Sequence, residues 1–187
     1  MDKRTAAGKK NQKKGSEGSK KLMEFSLFVF LVLAISYILV TFVTQRTRVN
    51  GTSMESTLYD GDNIMMDKLS YRFRSPRRKE IVCFYSANKK EILIKRIIGL
   101  PGERVKIEKG SIYIDGKLLN DYIGGLNYAG IAAEEIRLGE DEYFCLGDNR
   151  GASIDSRYAE IGNVKREDML GRAFLLYYPF NRIRIVK

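Results

Sequence analysis

The longest apolar segment of the chain covers residues 25–43 (FSLFVFLVLAISYILVTFV) and contains no charged side chain. A helix of 19 residues rises about 28 Å at 1.5 Å per residue, close to the ~30 Å hydrocarbon core of a bilayer. Cleaved secretory leaders have shorter apolar regions of about 7–15 residues, followed by a small-x-small site. The segment runs instead into Thr44-Gln45-Arg46. We therefore predict one uncleaved transmembrane anchor helix over residues 22–45.

From residue 46 onward the apolar runs are short, rich in β-branched and aromatic residues, and bounded by Gly, Asp or Pro. They are EIVCFYS, EILIKRIIG, RVKI, SIYI, KLLN, EYFCLGD and GRAFLLYYPF. Asp115-Gly116 predicts a type I′ hairpin turn, and Leu100-Pro101-Gly102-Glu103 predicts a type II turn. Residues 121–135 are predicted to form a loop. Residues 46–187 are thus expected to fold as one mostly β domain with antiparallel sheets.

The formal net charge of +10 is concentrated at the N-terminus. Residues 1–21 carry eight basic and two acidic side chains, and we expect them to form a disordered tail. Because the basic residues precede the apolar segment, the tail should lie in the cytoplasm and the β domain outside. Anionic lipid headgroups suffice as partners for this tail, so no nucleic-acid partner is expected.

The chain contains no histidine. This excludes a Ser-His-Asp triad, a Cys-His dyad and any histidine-ligated metal, so a nucleophile would need another base. Cys83 and Cys145 each lie in an apolar run, where buried reduced thiols are favoured over a disulfide. We expect neither a cofactor nor a metal ion.

Three polar segments carry the candidate chemistry. Residues 49–58 place Gly51 two positions before Ser53, a pattern also common in solvated loops. Residues 91–99 place Lys95 and Arg96 in an apolar strand, either as functional groups or on an exposed edge. A lysine with its ordinary pKa of about 10.4 would need burial to lower that pKa before it could act as a base. Arginine stays protonated, so Arg96 should pair with a carboxylate. Residues 146–157 (LGDNRGASIDSR) predict a structured polar loop.

Together these segments resemble the type I signal peptidases, serine proteases that remove signal peptides from exported proteins. The resemblance extends from the apolar segment to the C-terminus and rests on GxSM with TL after Ser53, IKRIIGLPGE at 94–103, and LGDNR followed by SxDSR at 146–157. It implies a Ser–Lys dyad with Ser53 as nucleophile and Lys95 as general base, which explains how a protease manages without histidine. It also implies a bacterial plasma-membrane protein that acts on signal peptides with small residues at positions −1 and −3.

The resemblance assigns supporting roles to further residues. Ser153 would orient Lys95, Asp155 and Arg157 would form an ion pair, and Arg96 would support the strand. The loop members would be Gly147, Asp148 and Asn149. The backbone N–H of Ser53 would bind the oxyanion, with a second donor from the Gly51 backbone or from a neighbouring group, for which Thr52 is a candidate. The candidate substrate pocket would be lined by Met54, Leu58 and Ile94.

The sequence departs from the family pattern at two places. Ser56 stands where the family usually has proline, and Lys79-Glu80 stands where it usually has Gly-Asp. Neither change removes a catalytic group. Rival interpretations are a self-cleaving repressor with a related Ser–Lys site, which would be soluble, and a membrane-tethered binding domain without activity. The eukaryotic reticulum enzyme is disfavoured because it has histidine where Lys95 stands.

Overall fold

The computed structural model describes residues 20–37, 43–120 and 126–186. The chain divides into two compact units, Met1–Phe42 and Val43–Lys187. In the first unit, residues 20–37 form helix α1. None of the described helices is both long and apolar enough to cross a membrane.

The predicted N-terminal segments are only partly within the described residues. Residues 1–19 of the predicted tail and residues 38–42 of the predicted anchor lie outside them. Thr44 and Gln45, the last two residues of the predicted anchor, open the first strand of the second unit. The prediction of a helix is therefore wrong for these two residues.

The second unit is built from antiparallel strands, as the short apolar runs predict. The larger sheet has eight strands in the order β1-β2-β11-β3-β4-β9-β10, with β12 paired to β11. Its strands are β1 (Thr44–Arg48), β2 (Asn63–Asp67), β3 (Ile81–Ser86), β4 (Glu91–Gly99), β9 (Glu142–Leu146), β10 (Val164–Lys165), β11 (Met169–Tyr178) and β12 (Arg184–Ile185). A short helix α2 (Ser70–Phe73) connects β2 to β3, and 3-10 turns lie at Arg166–Asp168 and Phe180–Arg182.

The smaller sheet contains the strands of the predicted runs RVKI, SIYI and KLLN and one additional strand. Its order is β7-β6-β5-β8, formed by β5 (Arg104–Glu108), β6 (Ser111–Ile114), β7 (Lys117–Leu118) and β8 (Ile136–Arg137). A 3-10 turn at Gly130–Ala133 precedes β8. The predicted turns are confirmed: Asp115 and Gly116 both have positive φ, and Gly102 has φ +81° while the Glu103 N–H donates to the Leu100 carbonyl.

Strand β4 lies between three apolar clusters. Ile94 packs with Val49 and Met54, Ile97 packs with Cys145, and Ile98 packs in the cluster shared with the smaller sheet. Because β4 pairs with β3 from residue 91 to residue 96 without a register shift, its side chains alternate regularly between the two faces of the sheet. Every residue from 94 to 99 is buried, including both cations.

The loop between β1 and β2 is a closed turn. Val49 N–H donates to the Asp62 carbonyl and Gly61 N–H donates to the Val49 carbonyl. Inside it, Thr57 N–H donates to the Met54 carbonyl, which places Ser56 at the third position of a β-turn. Ser56 has φ +74°, a left-handed conformation that type II turns require at this position and that proline cannot adopt.

We predict that Ser56→Pro lowers the free energy of unfolding by about 3 kcal/mol, because proline fixes φ near −65°. Ser56→Gly is the matched control, since glycine accepts positive φ without steric cost. Urea unfolding of the two variants beside the wild type measures the difference. Equal stability of the proline variant would contradict the left-handed turn.

Candidate active site

The loop after β1 and strand β4 bring Ser53 and Lys95 into contact. Lys95 Nζ donates a hydrogen bond to Ser53 Oγ at 2.7 Å, across 42 residues of sequence. Ser53 is half-buried, and only 3% of Lys95 is exposed. The arrangement places a hydroxyl beside an amine that is largely removed from water.

Burial is the main influence on the Lys95 amine. Desolvation lowers the pKa of Lys95 from 10.5 to about 8, against smaller opposing contributions led by the negative charge of Asp155. Among the described residues, no carboxylate lies within ion-pair distance of Lys95 Nζ. A substantial fraction of this lysine is therefore neutral at mildly alkaline pH, when its nitrogen can accept the proton of Ser53.

The polar loop 146–157 holds the backbone of Ser53 in place. Asn149 N–H donates to the Ser53 carbonyl at 3.0 Å, and the Asn149 side-chain amide donates to the Thr52 carbonyl at 3.2 Å. Gly147 has room for no side chain, because a Cβ there would lie 2.5 Å from the Ser53 carbonyl oxygen and 2.2 Å from Ser153 Oγ. Loop 146–157 and residues 49–58, the serine segment, thus pack backbone against backbone.

Arg96, on the face of β4 opposite Lys95, has the carboxylate partner expected from the sequence. Its Nε and one terminal nitrogen donate to the two oxygens of Asp148 at 2.7 and 2.6 Å, and the other terminal nitrogen donates to the Lys79 carbonyl. The Thr57 hydroxyl also donates to Asp148, at 2.6 Å. Strand β4 is therefore tied to the serine segment at both Ser53 and Thr57. Thr57 belongs to the TL motif after Ser53, but no role was predicted for its side chain.

Asp155 and Arg157 form a second buried bidentate ion pair, at 2.8 and 2.9 Å. Asp155 also accepts the Gly147 N–H at 3.0 Å, and Arg157 donates to the carbonyls of Arg150 and Tyr128. These bonds satisfy backbone groups that a buried polar loop would otherwise leave unpaired. The pair fixes the loop rather than contacting Ser53 directly.

The structure does not form the hydrogen bond that was expected between Ser153 and Lys95. Ser153 is buried, and its Oγ has no hydrogen-bond partner in the described part of the chain. The side chain packs against Gly147 instead. A role for Ser153 in orienting Lys95 therefore has no contact to support it here.

Gly51 also differs from its expected role. Its backbone N–H donates to Asp60 Oδ1 at 2.8 Å, so this donor is already engaged. The N–H groups of Thr52 and Ser53 make no hydrogen bond within the described residues. Among the backbone N–H groups of residues 51–53, the Gly51 donor is therefore engaged, and those of Thr52 and Ser53 are without a partner in the described part of the chain.

A cleft of about 280 Å³ opens beside the Ser53–Lys95 contact. One wall is formed by the end of β1 and the residues that follow it, and the other by the first half of β4. The lining residues are Thr47, Arg48, Val49, Asn50, Ser53, Met54, Glu91, Ile92, Leu93, Ile94 and Lys95. Met54 and Ile94, two of the predicted pocket residues, line this cleft. Leu58 does not: it is fully buried in the core cluster with Ile64, because Leu58 N–H donates back to the Met54 carbonyl and closes the turn inward.

The two cysteines are free and buried, as predicted from their apolar surroundings. Burial raises the pKa of the Cys83 thiol to about 12 and raises that of Cys145 further. Within the described ranges, no group of three or more Cys, Asp or Glu side chains is placed to hold a metal ion.

We predict that Lys95→Met stabilises the fold while removing the amine. The unfolded chain keeps the Lys95 proton up to pH ~10.5, whereas the folded chain keeps it only to about pH 8. The ammonium therefore costs about 3 kcal/mol below pH 8, and the wild type regains that stability as the pH rises from 8 to 10.5. Methionine has similar length and no charge, so unfolding at pH 7 should need about 1–3 kcal/mol more than for the wild type.

Urea unfolding of both proteins at pH 7 and pH 10 measures this difference. The gain should be largest at pH 7 and should shrink at pH 10, where the wild-type amine is neutral when folded. A variant that is less stable than the wild type at both values would show that the Lys95 amine is not destabilising.

Most of the chain matches a known protein family. Residues 22–178 match the family described as signal peptidase, peptidase S26. A probable signal peptidase I-2 of Synechocystis sp. is 40% identical over 156 residues, covering 78% of this chain and 68% of the relative. A signal peptidase I of Leptolyngbya laminosa is 33% identical over 171 residues, covering 87% and 82%.

A crystal structure of a signal peptidase I from Enterococcus faecalis is 30% identical, with a TM-score of 0.44 over 53% of this chain and 97% of that one. The family match covers most of the chain and contains both Ser53 and Lys95. The chain therefore belongs to the signal peptidase family, peptidase S26.

Proposed function

We propose that this chain is a type I signal peptidase that removes N-terminal signal peptides from exported preproteins. The observation that carries the proposal is the 2.7 Å contact between Ser53 Oγ and the buried Lys95 amine, in a chain of the signal peptidase family that has no histidine. A lysine with a pKa of about 8 can serve as the base for a serine nucleophile near neutral pH.

The reaction is acyl transfer. Neutral Lys95 takes the Ser53 proton as Ser53 Oγ attacks the scissile carbonyl, and the protonated Lys95 then donates to the leaving amine. The same lysine activates a water molecule that hydrolyses the acyl-enzyme. The backbone N–H groups of Ser53 and Thr52 stabilise the oxyanion, because both are free of other hydrogen bonds among the described residues.

The cleft suits an extended peptide. Strand β4 pairs with β3 along one edge, and along its other edge it pairs with β9 only from Arg96 onward. In the described part of the chain, residues 91–95 therefore have no strand partner along that second edge. Strand β1 is itself an edge of the sheet, and both edges line the cleft. A substrate strand can add backbone hydrogen bonds to such edges, while Met54 and Ile94 accept the small side chains at positions −1 and −3.

Cleavage of a purified preprotein with an Ala-x-Ala junction tests this function. Wild-type protein in detergent should release the mature product, and Ser53→Ala and Lys95→Ala should reduce kcat/KM by at least about 1000-fold. Lys95→Arg should be nearly as damaging, since guanidinium does not lose its proton. Substantial activity of Lys95→Arg would rule out Lys95 as the base.

The pH dependence provides the control for this assignment. Because the neutral amine is the reactive form, wild-type kcat/KM should rise through a midpoint near pH 8 and level off above it. A flat profile between pH 6 and pH 10 would point to a different base.

We further propose that the protein spans the bacterial plasma membrane once, with residues 1–21 in the cytoplasm and the β domain outside. The support is the uncharged segment 25–43 behind eight basic residues. Topology can be measured with added cysteines, because Cys83 and Cys145 are fully buried and should not react. In intact spheroplasts a membrane-impermeant maleimide should label Ser75→Cys, in the exposed segment before β3, and should label Ala6→Cys only after permeabilisation. Labelling of Ala6→Cys in intact spheroplasts would overturn this orientation.

A further inference from the structure

Glu91 is a charged residue of the cleft wall to which the catalytic scheme gives no role. It is the first residue of β4, it is exposed, and it lines the same cleft as Ser53 and Lys95. The charged residues of the lining are Arg48, Glu91 and Lys95. Since Lys95 is engaged with Ser53, Glu91 and Arg48 are the charges available to a substrate, and they lie on opposite walls.

The position of Glu91 along the cleft follows from the regular geometry of β4. The pairing with β3 is unbroken from Ser86 and Glu91 to Ile81 and Arg96, so Glu91 projects from the same face of the sheet as Lys95. Four residues of strand separate their Cα atoms by about 13 Å. A peptide strand lying along this edge, with its scissile residue at Lys95, would bring a residue about four positions away opposite Glu91.

The direction of that peptide follows from the pocket. Ile94, which lines the cleft together with Met54, lies on the Glu91 side of Lys95. With Met54 and Ile94 accepting the residues at positions −1 and −3, as in the proposed function, the residues that precede the scissile bond extend toward Glu91. The residue opposite Glu91 lies upstream of position −3, in the range −4 to −7.

The Glu91 carboxylate acts on Lys95 only as a smaller electrostatic contribution, which opposes the effect of burial on the pKa of that lysine. It forms no ion pair among the described residues, and its neighbour Lys89 pairs with Glu160 at 3.0 Å. The Asn88 side chain also donates to the Glu160 carbonyl, so the hairpin that ends at Glu91 is fixed at its tip. Glu91 is therefore an exposed carboxylate on the wall of the cleft, without an ion-pair partner among the described residues.

We propose that Glu91 is a specificity-determining residue that selects for a basic side chain four to seven residues before the scissile bond. This inference rests on the proposed function, because it assigns Glu91 to the same peptide-binding cleft. A lysine or arginine at the matching position would face the carboxylate, whereas an acidic side chain there would be repelled. Attraction of this kind between partly exposed charges changes affinity by a few-fold and weakens with added salt.

The test is a set of peptides with one cleavage junction and Gln, Lys or Glu at position −4, −5, −6 or −7 in turn. For the wild type, kcat/KM of the Lys peptide should exceed that of the Gln peptide about fivefold at one position, and the Glu peptide should be the poorest. Glu91→Gln should bring the three peptides together, and Glu91→Lys should invert their order. The ratios between peptides cancel any change that these variants cause at Lys95.

The control is Glu108→Lys, which makes the same charge change on β5 of the smaller sheet, away from the cleft. It should keep the wild-type ratios, and 0.5 M salt should reduce those ratios toward one. Equal cleavage of Lys, Gln and Glu peptides by the wild type at all four positions would overturn the role of Glu91. So would a preference that survives in Glu91→Gln. In both cases continued cleavage of the Gln peptide leaves the proposed function standing, while failure of the wild type to cleave it would overturn both.

Discussion

The site depends on keeping a lysine amine out of water without giving it a counter-ion. Buried cations are ordinarily neutralised by a carboxylate, and Arg96 and Arg157 follow that rule with bidentate partners. Lys95, one residue from Arg96, instead contacts the hydroxyl of Ser53. Asp148 and Asp155 are held by the two arginines, so the lysine is the group whose proton is easily lost.

This arrangement explains why so much of the surrounding structure is polar and yet buried. Asp148, Asp155 and their arginines are each satisfied by several hydrogen bonds, and each connects two separate segments of chain. Together they hold the serine segment, β4 and the loop 146–157 in a fixed relation. A lysine that is destabilised by burial would otherwise favour a rearrangement that lets water reach it. The ion pairs thus oppose the relaxation that the Lys95 amine promotes.

The sequence predicted the parts of the fold that local patterns determine. The seven apolar runs all contain strands, and the Asp115-Gly116 turn is where its chemistry requires it. The polar strand β1 was missed because its pairing with β2, rather than its composition, makes it a strand. Strands β8, β10 and β12 have two residues each, and only their pairing with a neighbouring strand defines them.

The site shows the same division between pattern and geometry. Ser53 and Lys95 could be named from the family resemblance, and the need for a carboxylate beside Arg96 follows from its charge. The individual hydrogen bonds of the site depend on ångström-scale differences in atomic position. The Gly51 N–H is taken by Asp60, nine residues away, and the Ser153 hydroxyl faces Gly147, and no spacing in the sequence signals either contact.

Residues 91–95 of β4, which pair with β3 but not with β9, restrict the backbone conformation that a bound substrate can have. A strand edge binds through backbone groups spaced for an extended chain, and a helix has already used those groups internally. In the proposed mode of binding, a polypeptide that enters this cleft must therefore be unwound over several residues on either side of the bond to be cut. Such a cleft would select substrates by backbone conformation as well as by side chains. Helical membrane segments and folded domains would not bind, and a short flexible stretch between them would be the segment that is cleaved.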